Sequence, residues 1–122
     1  MRVLGIDCGT ERTGYGVVES DGRTHRLLDA GVIQTSPRDA LSQRLLLIAQ
    51  GLRQTIQRHR PESAAVEAVF YAQNVKTARK LCHVRGVALL AIAEPGVPVG
   101  DVSPPGLKAG VAGSGRAGTQ PA

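Results

Sequence analysis

Paired carboxylates are the first chemistry this sequence offers. Ten of its residues are Asp or Glu, and two of them keep unusual company. Asp7 closes the apolar run RVLGID, two residues before Gly9. Glu67 interrupts the apolar run AAVEAVF. A carboxylate among apolar strand residues is costly to bury unless it is paired, hydrogen-bonded or bound to metal. Open α/β sheets form their sites at the carboxyl ends of strands. If the two strands are neighbours, both carboxylates face one spot. The other reading of Glu67 is a place at the strand edge, in water or beside an Arg.

The basic residues supply the second clue. Lys and Arg number 15 against ten acidic residues, a net charge of +5. Such a balance fits an anionic partner such as nucleic acid, or else a merely basic surface. The basic residues run Arg44, Arg53, Arg58, Arg60, then Lys76, Arg79, Lys80 and Arg85. Lys76, Arg79 and Lys80 share one helical face by their i, i+3, i+4 spacing. Phe70 and Tyr71 stand just before them, two of only three aromatic residues. Cations beside loop aromatics suit phosphates and stackable bases, although a solvated helix face with packed aromatics is the commoner arrangement. Asp7-Cys8-Gly9-Thr10, with Gly14 and Gly16, is also a small Gly-rich turn able to cradle a phosphate. Glycines in such a turn more often serve backbone geometry. His25, His59 and His83 have no ligand spacing, and Cys8 and Cys82 form no CxxC, so no zinc site is expected.

The elements that must position these groups follow from the pattern. Arg2–Asp7, Thr13–Glu19 and Arg26–Thr35 read as strands, joined by short turns into an antiparallel meander. Asp21-Gly22 is a tight-turn signal. From Asp39 to His59 the period is helical, with Leu41, Leu45, Ile48, Leu52 and Ile56 on one stripe, and Pro61 ends it. Ala64–Val69 reads as a buried strand. A second helix runs to Ala93, capped by Asn74 or Thr77. Its second half is apolar nearly all round, so two sides are expected to be covered, one by the sheet and the other by a second subunit or by loops. Val97–Val102 is a last strand. The order βββ-α-β-α-β predicts a mixed α/β sheet of five strands flanked by helices.

Composition bounds the class. The chain has 122 residues and a mean hydropathy of −0.07, one domain of ordinary solubility. A domain is expected over 1–110 and a disordered Gly/Pro-rich tail over 111–122. The longest apolar run, Val87–Ala93, is far shorter than the roughly 20 residues of a membrane helix. No secretory signal is visible, and two cysteines without one predict free thiols and a cytoplasmic location.

Taken together, the motifs resemble the RuvC family of Holliday-junction resolvases. LGIDCGTERTGYGVVE is similar to that family's LGIDPG…TGYGV opening, and VEAVFYAQN to its IExVFxxxN signature. ARKLCHVRGV resembles its AxxLGxARGV helix, and the stretch from Pro104 to Ala117 its PxxVKxxVxGxGxA pattern. The resemblance implies an RNase H-like fold, a homodimer, and nicking of four-way DNA junctions in recombination and repair. It implies a Mg²⁺ cofactor, with Mn²⁺ as a substitute, and RuvA and RuvB as partners. By position, Asp7 and Glu67 match the first two catalytic, metal-holding carboxylates. Phe70 matches an aromatic that stacks at the open junction, and Lys108 a basic residue near the scissile phosphate. Tyr71, Lys76, Arg79, Lys80 and Arg116 complete the expected DNA contacts.

Departures from the family pattern matter. Cys8 replaces a Pro, Cys82 a Gly and Thr119 a Lys. The family places two further catalytic Asp residues on a terminal helix, and no acidic residue follows Asp101 here. The expectation is weak or absent cleavage by these 122 residues, with a junction-binding module that does not cut as the alternative. GIDCGT is also similar to the phosphate-loop strand of actin-like ATPases, but that fold needs two domains and a longer chain.

Overall fold

The computed structural model describes residues 1–67 and 75–100. Five strands and two helices follow the expected order: β1 (Arg2–Asp7), β2 (Arg12–Ser20), β3 (His25–Gln34), α1 (Leu41–His59), β4 (Ser63–Val66), α2 (Val75–Ala93) and β5 (Val99–Gly100). The sheet order is β3-β2-β1-β4-β5. The first three strands form the meander, and β1–β4 and β4–β5 pair in parallel. The expected tail and the end of the last strand, from Asp101 on, lie outside the described residues, as does Asn74.

Local chemistry explains the boundaries. The β2–β3 turn is held by the Asp21 side chain, whose Oδ1 accepts from the Arg23 and Thr24 amides, both at 2.8 Å. Those bonds, led by Thr24, lower the Asp21 carboxyl to about 2. Gly22 takes φ 92 there, a conformation that penalises any Cβ. α1 starts two residues later than its pattern suggested and ends on Arg60, left-handed at φ 49, just before Pro61. Pro61 disfavours helical geometry in the residue before it. Thr77 lies inside α2 rather than capping it.

Both helices pack on one face of the sheet. One cluster joins Leu4 and Ile6 of β1, Val17 of β2 and Val66 of β4 to Ile48, Leu52 and Ile56 of α1 and Val84, Ala88 and Ile92 of α2. Leu4, Leu52 and Ile92 are wholly buried, each stabilising the fold by about 1.5–3 kcal/mol through burial. Gly51 lets α1 sit close: a methyl group there would meet Ile33 Cδ1 at 2.6 Å. The opposite face gathers Val3, Val18 and Ala65, and neither helix contributes to that cluster. Strand alternation sends residues one apart to opposite faces, so Asp7 shares this second face with Val3 and Gly5.

Candidate active site

Register brings the two carboxylates together. Ile6 pairs with Val66 across the parallel β1–β4 ladder, and the Glu67 amide donates to the Ile6 carbonyl at 3.0 Å. Asp7 and Glu67 are the next positions on adjacent strands, both at carboxyl ends and both half-buried. On its other side Asp7 lies opposite Gly14 of β2, where an added methyl would stand 3.9 Å from Asp7 Cβ. A glycine there keeps bulk away from one flank of the carboxylate. Register thus makes Glu67 the neighbour of Asp7 at the end of the strand pair.

The loop behind Asp7 is fastened from beneath. Arg44, on the first turn of α1, is 5% exposed. Its Nη2 donates to the Thr10 carbonyl and its Nε to Thr35 Oγ1 at 3.4 Å. The Thr35 amide donates to the Glu11 carbonyl at 2.9 Å. Gly9 has no room for a side chain, because a Cβ would collide with the Arg12 carbonyl. The Gly-rich turn thus owes Gly9 to backbone approach. Cys8 packs towards the helices. Burial first, then the neighbouring Asp7 carboxylate, pushes its thiol up to about 12, with Glu67 adding and Arg85 opposing. The thiol stays neutral at physiological pH and adds no third negative charge.

The basic residues, read as one group from sequence, divide in space. Arg44 is a buried fastener. Arg53 is bidentate to Glu94, at 2.8 and 3.1 Å. Arg58 and Arg60 lie at the far end of α1, where the His59 carbonyl accepts from Arg2 at the start of β1. Lys76, Arg79 and Lys80 remain at the start of α2. That helix ends beside the start of β5, which runs parallel to β4, so its beginning points to the end of the sheet that carries Asp7 and Glu67. Lys76 and Arg79 are exposed and Lys80 half-exposed. Phe70, Tyr71, Lys108 and Arg116 lie outside the described residues. Arg44 was missed as a site support because nothing in sequence separates a buried Arg from a solvated one.

Among the described residues no three His, Cys, Asp or Glu side chains are grouped to hold a metal ion. The donor set present is two carboxylates. Hard oxygen donors suit Mg²⁺, which is commonly held by one or two carboxylates together with waters and substrate phosphates. The residues therefore fit that ion as a partial site. No described helix is long and apolar enough to cross a membrane.

Comparison with known proteins addresses the family. The family model "Crossover junction endodeoxyribonuclease RuvC" matches residues 3–121. A protein of that name from Koribacter versatilis is 50% identical over 118 residues, covering 96% of this chain and 71% of the relative. One from Chloroflexus aggregans is 48% identical over 117 residues, again 96% and 71%. Among solved structures, Thermus thermophilus RuvC in complex with a Holliday junction substrate superposes with a TM-score of 0.79 at 36% identity. That match covers 85% of this chain and 66% of the Thermus chain. A yeast mitochondrial Holliday junction resolvase shares the fold at a TM-score of 0.63 and 17% identity. The matched length, the identity and the shared sheet leave one assignment: the chain belongs to the RuvC family of crossover junction endodeoxyribonucleases.

Proposed function

We propose that this chain recognises four-way DNA junctions and serves their symmetric nicking in recombination and repair. The observation that carries the reading is the β1–β4 register, which sets Asp7 beside Glu67 at the sheet end faced by the start of α2. Lys76, Arg79 and Lys80 draw in phosphates there. Asp7 and Glu67 hold Mg²⁺, or Mn²⁺ in its place, and neutral Cys8 leaves their joint charge unchanged. When bound, the metal supplies an activated water and neutralises charge on the scissile phosphate. Phe70 and Tyr71 stack at the opened junction, and Lys108 and Arg116 add phosphate contacts. The chain acts in the cytoplasm as a homodimer, alongside RuvA and RuvB. Leu90, 55% exposed on the outer side of α2, supports a covered surface there.

Binding is the readout that does not depend on how many further carboxylates complete the metal site. In a gel-shift assay the protein is expected to prefer a synthetic four-way junction to a linear duplex, with affinity falling steeply as salt rises. Equal affinity for both, or a flat salt response, overturns the reading. Mg²⁺ or Mn²⁺ is expected to raise the melting midpoint of the wild type and not that of the Asp7→Asn/Glu67→Gln double variant. Junction binding with no nicking in either metal favours a binding module over a nuclease.

A further inference from the structure

The described strands hold three arginines, Arg2, Arg12 and Arg26. Only one of them shares a face with Asp7. Asp7 lies directly opposite Gly14, and Arg12 stands two residues from Gly14 on β2, so strand alternation gives all three one face. Arg12 is therefore the diagonal neighbour of Asp7, about 7–8 Å away and within reach of a long side chain. Arg2 and Arg26 both lie opposite Glu19, at the far end of the sheet and on its other face. The backbone of Arg12 is held on several sides. Its carbonyl is the atom that Gly9 closes against, and the residue pairs with Gln34 of β3. Thr35 holds the Glu11 carbonyl and Arg44 the Thr10 carbonyl just before it. The Arg12 side chain, by contrast, is exposed and joins no ion pair among the described residues. Arg2 reaches Glu19 and Arg53 holds Glu94, so partners are found for other exposed arginines but not for this one.

We propose that Arg12 is a DNA-binding residue that holds a backbone phosphate on the β2 side of the Asp7–Glu67 pair. Lys76, Arg79 and Lys80 hold the backbone on the other side, since α2 packs against β4 and β5. Neighbouring strands stand about 4.8 Å apart, so β2 and β4 are separated by two such spacings with β1 between them. The two basic groups flank the carboxylates, and the bound strand crosses the end of the sheet from one to the other. Two carboxylates repel a phosphate backbone, and a cation on the face of Asp7 offsets that repulsion. A guanidinium presents its donors as a rigid fork that matches phosphate geometry. This inference rests on the junction-binding reading and deepens it by giving the backbone a path.

The test uses labelled four-way junctions in which single phosphates around the crossover are replaced by uncharged methylphosphonates. Arg12→Gln is expected to bind the unmodified junction about tenfold more weakly, the worth of one charge-assisted contact. Its slope of log affinity against log salt should shrink by about one. It should also be indifferent to replacement of one phosphate to which the wild type is sensitive. Lys80→Gln is expected to stay sensitive at that phosphate and to lose sensitivity at a different one. Arg12→Lys, which keeps the charge and loses the fork, should restore the salt slope and part of the affinity. Arg26→Gln, an exposed arginine at the far end of the sheet, should bind as the wild type does. The urea midpoint of Arg12→Gln should match the wild-type value, since no ion pair is cut. Arg12→Gln that binds more weakly with a wild-type methylphosphonate pattern overturns the proposal, as does loss of sensitivity at the same phosphate as Lys80→Gln. An equal loss of affinity in Arg26→Gln also overturns it, by reducing the effect to net charge. Wild-type protein that does not prefer the junction overturns the functional reading, and the Arg12 proposal falls with it. Normal wild-type preference with slope and pattern unaltered in Arg12→Gln removes the Arg12 proposal alone.

Discussion

The helices α1 and α2 each have 19 residues and pack on the same face of the same sheet, yet their charges gather mainly at different ends. α1 carries Arg58 and His59 in its last turn, where cations complement the partial negative charge of a helix C-terminus. α2 carries no basic residue in its last turn, and neither helix has an acidic residue in its first. Its cations, Lys76, Arg79 and Lys80, crowd the end where the helix dipole is already positive. In the first turn, where Lys76 lies, such a placement costs a few tenths of a kcal/mol when exposed. The last turn of α1 is charged in favour of the helix's own stability. α2 gives up a little stability to present positive charge beside two carboxylates, an arrangement that favours an anionic partner.

The largest effect expected from breaking this contrast is structural. Leu52→Ala in α1 removes a wholly buried side chain and should cost about 2–5 kcal/mol in urea unfolding. The salt slope of junction binding should not move, because Leu52 presents no charge. The reverse pattern is expected for Lys76→Gln/Arg79→Gln/Lys80→Gln. Junction affinity should drop, and the slope of log affinity against log salt should shrink by about one for each phosphate that is no longer neutralised. The urea midpoint should hold or rise slightly. A triple variant that is destabilised with its salt slope intact would place these cations with α1 as structural charges.

Smaller effects sharpen the comparison. Cys82 is exposed on α2 whereas Cys8 is half-buried under it, so iodoacetamide near neutral pH should label Cys82 well before Cys8, read by peptide mass spectrometry. The Cys8 thiol keeps its proton up to about 12 when folded, against 9.0 when unfolded. Between those values the unfolded state binds fewer protons, so this contribution to stability is complete below about pH 9 and is lost as pH rises towards 12. Cys8→Ala should make the alkaline decline in stability shallower. The smallest effect is expected for Arg53→Gln, which cuts an exposed tie between α1 and Glu94. Its slight lowering of the melting midpoint should vanish in high salt, as screening predicts for a surface pair.

The elements themselves were legible because they rest on short-range rules. Strand alternation, the Asp21-Gly22 turn, the Leu41–Ile56 stripe and Pro61 act within a few residues, so their order and type could be read directly. β4 and its pairing with β1 run to Val66, and the end of the expected strand, Ala68 and Val69, lies outside the described residues. Both helices on one face could not be read, since a helical stripe says that a helix is covered and not by which side of a sheet. The basic residues were misleading for a related reason. Arg44, Arg53 and Arg79 look alike in sequence, yet one is buried against the Thr10 carbonyl, one is paired with Glu94 and one faces solvent.

By itself, the sequence determined that Asp7 and Glu67 are anomalous, since a carboxylate in an apolar strand is costly wherever that strand lies. It also determined that Lys76, Arg79 and Lys80 share a face, since helical spacing is local. Only the tertiary structure decided that the two carboxylates are neighbours. That depends on a parallel register between strands some 60 residues apart, a separation that no local rule spans. It decided, too, that Arg44 is a buried fastener of the loop behind Asp7, because burial and long-range hydrogen bonds exist only once the chain has packed.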